Sequence, residues 1–243
     1  MAGVERFAHA GATIVAERRG HGERAYVLIH GIGMGRSVFT DLARHLGDGE
    51  VVALDLPGYG EAPEPARVLT MQRTADLVAA YLRKRVMRPA VVIGHSMGAQ
   101  VALEIAVRHP EVVDRIVLVG PTLDPTARSA PRQLWRLLRD IAVESPRVIA
   151  RGAREYVRAG PRLRAKFHAM LVHRPEDVLH LADVPALVLR GEDDLVALPA
   201  WCRQVADGLP QGRLEEVPDH GHETMIRDAA PAARLIREFA GEG

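Results

Sequence analysis

Ala90-Val91-Val92-Ile93-Gly94-His95-Ser96-Met97-Gly98-Ala99-Gln100-Val101-Ala102-Leu103-Glu104-Ile105-Ala106 is the stretch whose reading decides the fold. Its first four residues form a short apolar run of the kind found in strands buried on both faces, and the residues after Gly98 suit a helix. Between the two lies a G-x-S-x-G pattern, Gly94 to Gly98. A serine on so tight a strand-to-helix turn lifts its hydroxyl above the sheet edge, and the flanking glycines relieve crowding there. The N-terminus of the following helix also favours developing negative charge. A helix N-cap serine in a Rossmann-like turn has the same local pattern. The rest of the chain has to separate the two.

Outward from this turn, short β-rich runs alternate with longer amphipathic ones. The expected strands are Ala12–Ala16, Ala25–His30, Val51–Asp55, Ala90–Gly94, Arg115–Val119, Ala186–Arg190 and Arg213–Val217. The expected helices are Val38–Leu46, Met71–Val86, Met97–Arg108, Leu198–Gly208 and Ala229–Phe239. This alternation predicts an α/β protein, a mostly parallel central sheet flanked by helices. The rhythm breaks over residues 121–185, where no strand is expected and LWRLLRDIAVESPRVIARGAREYVRAG reads as short helices interrupted by Pro146, Gly160 and Pro161. A structureless loop that long would be unusual, so the segment is expected to be a helical cap. Residues 1–120 and 186–243 would then form the core domain.

Composition narrows the function classes. The 243 residues are 47% hydrophobic, enough for one substantial core, and the net charge of +1 favours neither nucleic acid nor a membrane surface as partner. One cysteine, Cys202, allows no internal disulfide. Beside Trp201 in an expected helix, it reads as a packed core thiol. Met1 to Ala10 does not read as a secretory signal, and no stretch approaches the roughly 20 apolar residues of a membrane span. A cytoplasmic protein is the expectation.

A serine hydroxyl is a poor nucleophile near neutral pH, so Ser96 needs a base and an orienting acid. His222 follows the last expected strand in Pro218-Asp219-His220-Gly221-His222-Glu223, and Gly221 permits a loop that aims its ring back over the sheet. His220 competes with it. Gly191-Glu192-Asp193-Asp194 offers three carboxylates after the strand ALVLR, among which the residues alone do not choose. An oxyanion hole requires backbone N–H groups, one from Met97 and a second from the loop His30-Gly31-Ile32-Gly33-Met34-Gly35. That loop lacks the Gly-Lys-Ser/Thr of a phosphate loop and has the wrong spacing for a dinucleotide fingerprint. Asp219, His220 and His222 have no ligand-spaced partner motif, so neither metal nor organic cofactor is expected.

Five motifs, LIHGIG, DLPGYG, GHSMG, GEDD and GHE, occur in the order of the α/β-hydrolase fold family, which the chain resembles over nearly its whole length. The resemblance implies the α/β-hydrolase fold with a helical cap inserted after the sixth strand, here the one at Arg115–Val119. It implies Ser96 as nucleophile, Asp194 as acid and His222 as base. Backbone N–H groups of Ile32 and Met97 map to the oxyanion hole, and His30 with Gly31 to its support. Some relatives carry the acid after the preceding strand, which makes Asp124 a rival. Serine at 96 argues against the dehalogenase and epoxide hydrolase branches, which use aspartate there. The implied activity is hydrolysis of a carboxylic ester, lactone or thioester of a small molecule. Carbon–carbon bond hydrolases, perhydrolases and lyases share the triad, and a non-catalytic ligand-binding protein on this fold is the alternative from another class.

Between Pro125 and Pro175 the chain has twelve Arg or Lys against three Asp or Glu. Arg132, Arg136 and Arg139 form one helical stripe, and Arg147, Arg151, Arg154 and Arg158 another. A solvated helix face is the default for such stripes. The sharper reading is a guide for an anionic or carrier-bound acyl substrate.

Overall fold

A computed structural model describes residues 3–47, 49–125, 162–226 and 228–241. Its eight strands are β1 (Gly3–His9), β2 (Ala12–Arg19), β3 (Ala25–Ile29), β4 (Glu50–Asp55), β5 (Ala90–His95), β6 (Val113–Val119), β7 (Ala186–Gly191) and β8 (Gly212–Val217). They form one sheet in the order β1-β2-β4-β3-β5-β6-β7-β8. Only β1–β2 and β2–β4 pair antiparallel; the other neighbours are parallel. The seven expected strands are all present. The additional one, β1, makes β6 the sixth in sequence. It is an edge strand with a single buried side chain, Phe7, so it carries no apolar run to be read. A two-residue turn at Ala10-Gly11, both with positive φ, returns it into β2 as a tight hairpin.

The central strands β3, β5 and β7 are buried at every residue, as their continuous apolar runs require. Helices α1 (Thr40–His45) and α6 (Ala230–Ala240) bring Leu42, Ala232 and Ile236 onto one face of the sheet. The other face is covered by α2 (Met71–Tyr81), α3 (Met97–Arg108) and α5 (Pro199–Gly208). Helix α3 is buried from Met97 through Ala106, because it lies between the sheet and α2. The expected helix boundaries move little. The first helix opens as a 3₁₀ turn, Arg36–Phe39, and Met71–Val86 ends in a π turn from Leu82.

Helix α4 (Leu163–Val172) and two 3₁₀ turns lead back to β7. The Lys166 ammonium is buried and donates to the carbonyl of Gly58 and to Glu64 Oε2 (2.8 Å). His173 Nε2 meets Glu104 Oε1 of α3 at 2.7 Å, both side chains buried. Two polar anchors thus tie this returning segment to the core. The expected cap helices with their arginine stripes, from Arg132 to Arg158, lie outside the described residues. No helix among the described residues is long and apolar enough to cross a membrane.

Candidate active site

The site gathers at the carboxyl ends of the parallel strands, where an α/β sheet presents its loops. Ser96 follows β5 and stands at the N-cap position of α3 with φ 54° and ψ −113°, a strained backbone for a non-glycine residue. Its N–H donates to the Val119 carbonyl at 2.9 Å, locking the turn to β6. The side chain makes no capping hydrogen bond. The position is therefore that of an N-cap, but the hydroxyl is not used as one.

His222 lies on the loop after β8, and its Nδ1 is 2.8 Å from Asp194 Oδ2. Both side chains are almost completely buried. Asp194 Oδ1 accepts from the N–H groups of Val196 and Ala197, each at 2.7 Å. Burial alone would raise the Asp194 pKa. The facing His222 and the two backbone donors outweigh it and hold this carboxyl below the usual carboxylate range. Of the three carboxylates of the GEDD loop, Asp194 is the one that meets the His222 ring. Glu192 instead accepts from the Asp219 N–H in a solvent-facing turn. His220 turns the other way, its ring nitrogens 2.6 and 3.1 Å from the carbonyls of Pro218 and Asp228.

Gly120, at the end of β6 with φ +53°, leaves room for this pair. A Cβ there would stand 2.9 Å from His222 Cε1 and Nδ1 and 3.2 Å from Asp194 Oδ2. The His95 ring, next to Ser96 in sequence, is 4.8 Å from the His222 ring, and its Nε2 meets the His222 carbonyl at 3.1 Å. A carbonyl only accepts, so Nε2 carries the proton. Burial, then the neighbouring His222, pushes His95 well below the ordinary histidine range, so it is neutral. His95 was not among the expected site residues. Its only sequence signal is its place beside Ser96.

The glycine loop after β3 approaches from the other side. A side chain at Gly31 would stand 3.2 Å from Ser96 Cβ. The Leu56 N–H points at His30 Nε2 (3.1 Å), so that nitrogen accepts and Nδ1 is protonated. Nδ1–H donates to the Gly31 carbonyl at 2.7 Å. A trans peptide sets its C=O and N–H on opposite sides, so this bond also fixes the direction of the Ile32 N–H. Met97 opens α3, where N–H groups have no intrahelical acceptor. Beneath the loop, buried Asp55 accepts from the N–H of Arg36 (2.6 Å), from its guanidinium and from the N–H of Glu61 (2.9 Å), joining the LIHGIG and DLPGYG loops. The Met97 side chain, with Leu56, Tyr59, Met71, Val101 and Lys166, lines a small, largely apolar pocket. Met225 is fully buried and packs in the core. Among the described residues no group of three or more His, Cys, Asp or Glu is placed to hold a metal.

A mostly parallel sheet with a serine on a strained turn after the fifth strand, and an acid–histidine pair on the loops after the seventh and eighth, defines the class of the α/β hydrolases. The alpha/beta hydrolase family profile matches residues 26–238, and the chain belongs to this family. It is 30% identical over 240 residues to a pimeloyl-[acyl-carrier protein] methyl ester esterase of Neisseria meningitidis, covering 87% of this chain and 75% of that one. A thermophilic esterase from Thermogutta terrifontis superposes with a TM-score of 0.81 at 22% identity, over 100% of this chain and 98% of that one. The enol-lactonase of Burkholderia xenovorans gives 0.83 at 21% identity, over 98% and 100%.

Proposed function

We propose that the chain is a serine hydrolase that cleaves a carboxylic ester, lactone or thioester of a small molecule through an acyl-enzyme on Ser96. The observation that carries the reading is the buried His222–Asp194 hydrogen bond of 2.8 Å beside the strained Ser96 turn. Ser96 Oγ attacks the carbonyl carbon while His222 Nε2 accepts its proton. Asp194 holds the imidazole with Nδ1 protonated and stabilises the imidazolium that forms. The N–H groups of Ile32 and Met97 hold the oxyanion. His222 returns the proton to the leaving group. It then activates a water that frees the acid and restores Ser96. Similarity to a methyl ester esterase supports an ester-type bond. Residues 1–120 and 186–243 form the catalytic core in this reading, and residues 121–185 the cap over it. A single cysteine, buried and without a disulfide, suits a cytoplasmic setting.

The test is fluorophosphonate labelling of wild type and Ser96→Ala, with hydrolysis of short- and long-chain nitrophenyl esters, lactones and acyl thioesters. Labelling should map to Ser96. Ser96→Ala should lose several orders of magnitude in kcat, approaching the roughly 10⁶-fold cost of removing a triad serine. A folded Ser96→Ala enzyme that keeps most of its activity refutes the assignment. Absence of labelling at Ser96 favours a binding protein.

A further inference from the structure

Strand β7 reads Ala186-Leu187-Val188-Leu189-Arg190-Gly191, and the arginine in this otherwise apolar run is 2% exposed. A guanidinium is costly to bury, so its partners show what it is there for. Nε donates to the carbonyl of Ala197 (3.2 Å), and Nη2 to the carbonyls of Glu192 (3.0 Å) and Asp194 (3.3 Å). Nη1 pairs with Glu216 on β8. Three of these acceptors belong to the six residues 192–197. Those residues carry Asp194 at their centre and supply the Val196 and Ala197 N–H groups that hold its Oδ1.

The loop thus turns its carbonyls toward Arg190 and two of its amides toward the Asp194 carboxylate. We propose that Arg190 is a positioning residue that clamps the acid loop and so aims Asp194 at His222 Nδ1. This rests on the Ser96–His222–Asp194 reading. The planar fork is what the geometry demands, because it reaches three separated carbonyls and a carboxylate at once. A lysine keeps the charge but offers one compact head, which cannot span the same acceptors. A methionine fills the space and leaves the carbonyls without a donor.

The experiment compares wild type with Arg190→Lys and, as the severe case, Arg190→Met. Circular dichroism and thermal unfolding report folding, steady-state kinetics give kcat and KM, and proton NMR follows the far-downfield signal of an imidazole Nδ1–H bonded to a carboxylate. The NMR signal needs no turnover. We expect folded Arg190→Lys to lose about 10- to 100-fold in kcat, as small misplacements at an active site do, with KM within about twofold of wild type. Its downfield signal should weaken or vanish. Folded Arg190→Lys with wild-type kcat and an intact signal would overturn the clamp and leave Arg190 a purely structural residue. A wild-type enzyme with no downfield signal and with activity surviving His222→Ala would overturn the triad reading, and the clamp with it.

Discussion

Gly98→Ala tests the physical basis of the strand-to-helix turn. A Cβ on Gly98 would lie 2.2 Å from the Ile29 carbonyl oxygen and 2.9 Å from that of His30. The φ of Gly98 is not positive, so the constraint is space and not conformation. Both opposing atoms are backbone of β3 and the loop after it, and no rotamer change can yield. Restoring ordinary contact would need α3 to move from β3 by about 1 Å, an overpacking cost of ~1–3 kcal/mol or more. For a chain of this size that lowers Tm by roughly 2–12 °C at about 2–4 °C per kcal/mol. The same shift carries Ser96 and the Met97 N–H away from the Ile32 N–H, because they sit at the two sides of the compressed contact. A misplacement of ~1 Å costs about 100-fold in rate, or ~2.7 kcal/mol of barrier. Calorimetry and ester hydrolysis on Gly98→Ala measure both. Gly3→Ala is the control, since nothing lies within 4 Å of its Cβ and a surface change of this kind stays within about 0.5 kcal/mol. Wild-type Tm and kcat in Gly98→Ala would refute the steric account.

Two other outcomes follow from buried groups. Asp194 is held below the carboxylate range in the folded state, so its contribution to stability is complete above the unfolded value of about 3.9 and is lost as pH falls through the folded value. Urea unfolding of Asp194→Asn between neutral and acid pH should accordingly show a shallower loss of stability than wild type; parallel curves would contradict this. The Cys202 thiol is fully buried and pushed up to about 12, by burial first and then by the charge of Asp194. Ellman's reagent at pH 8 should leave the native protein untouched and titrate one thiol per chain in denaturant. Rapid labelling of native protein would show the site to be open.

Much of the fold was legible because apolar runs and turns report burial directly. AVVIG, RIVLVG and ALVLRG are continuous because their strands are covered on both faces, and the structure places all three where they were expected. Strand β1 was not legible, because an edge strand with only Phe7 buried has no such pattern. The chain order Ser96, Asp194, His222 could also be read in the motifs. The residues alone left Glu192, Asp193 and Asp194 equivalent, because loop carboxylates look alike in one dimension. Only the tertiary structure, by bringing the loops after β7 and β8 together, put Asp194 Oδ2 at His222 Nδ1 and turned His220 toward its own loop. The partners of His95 and Arg190 were decided there as well. Their acceptors stand in distant loops or around a turn, and hydrogen-bond direction leaves no periodic trace in a sequence. The sequence by itself determined which residue types could do the chemistry and in what chain order. The direction in which each donor and acceptor points was decided only by the packing of strands and helices, since a few tenths of an ångström separate a hydrogen bond from none.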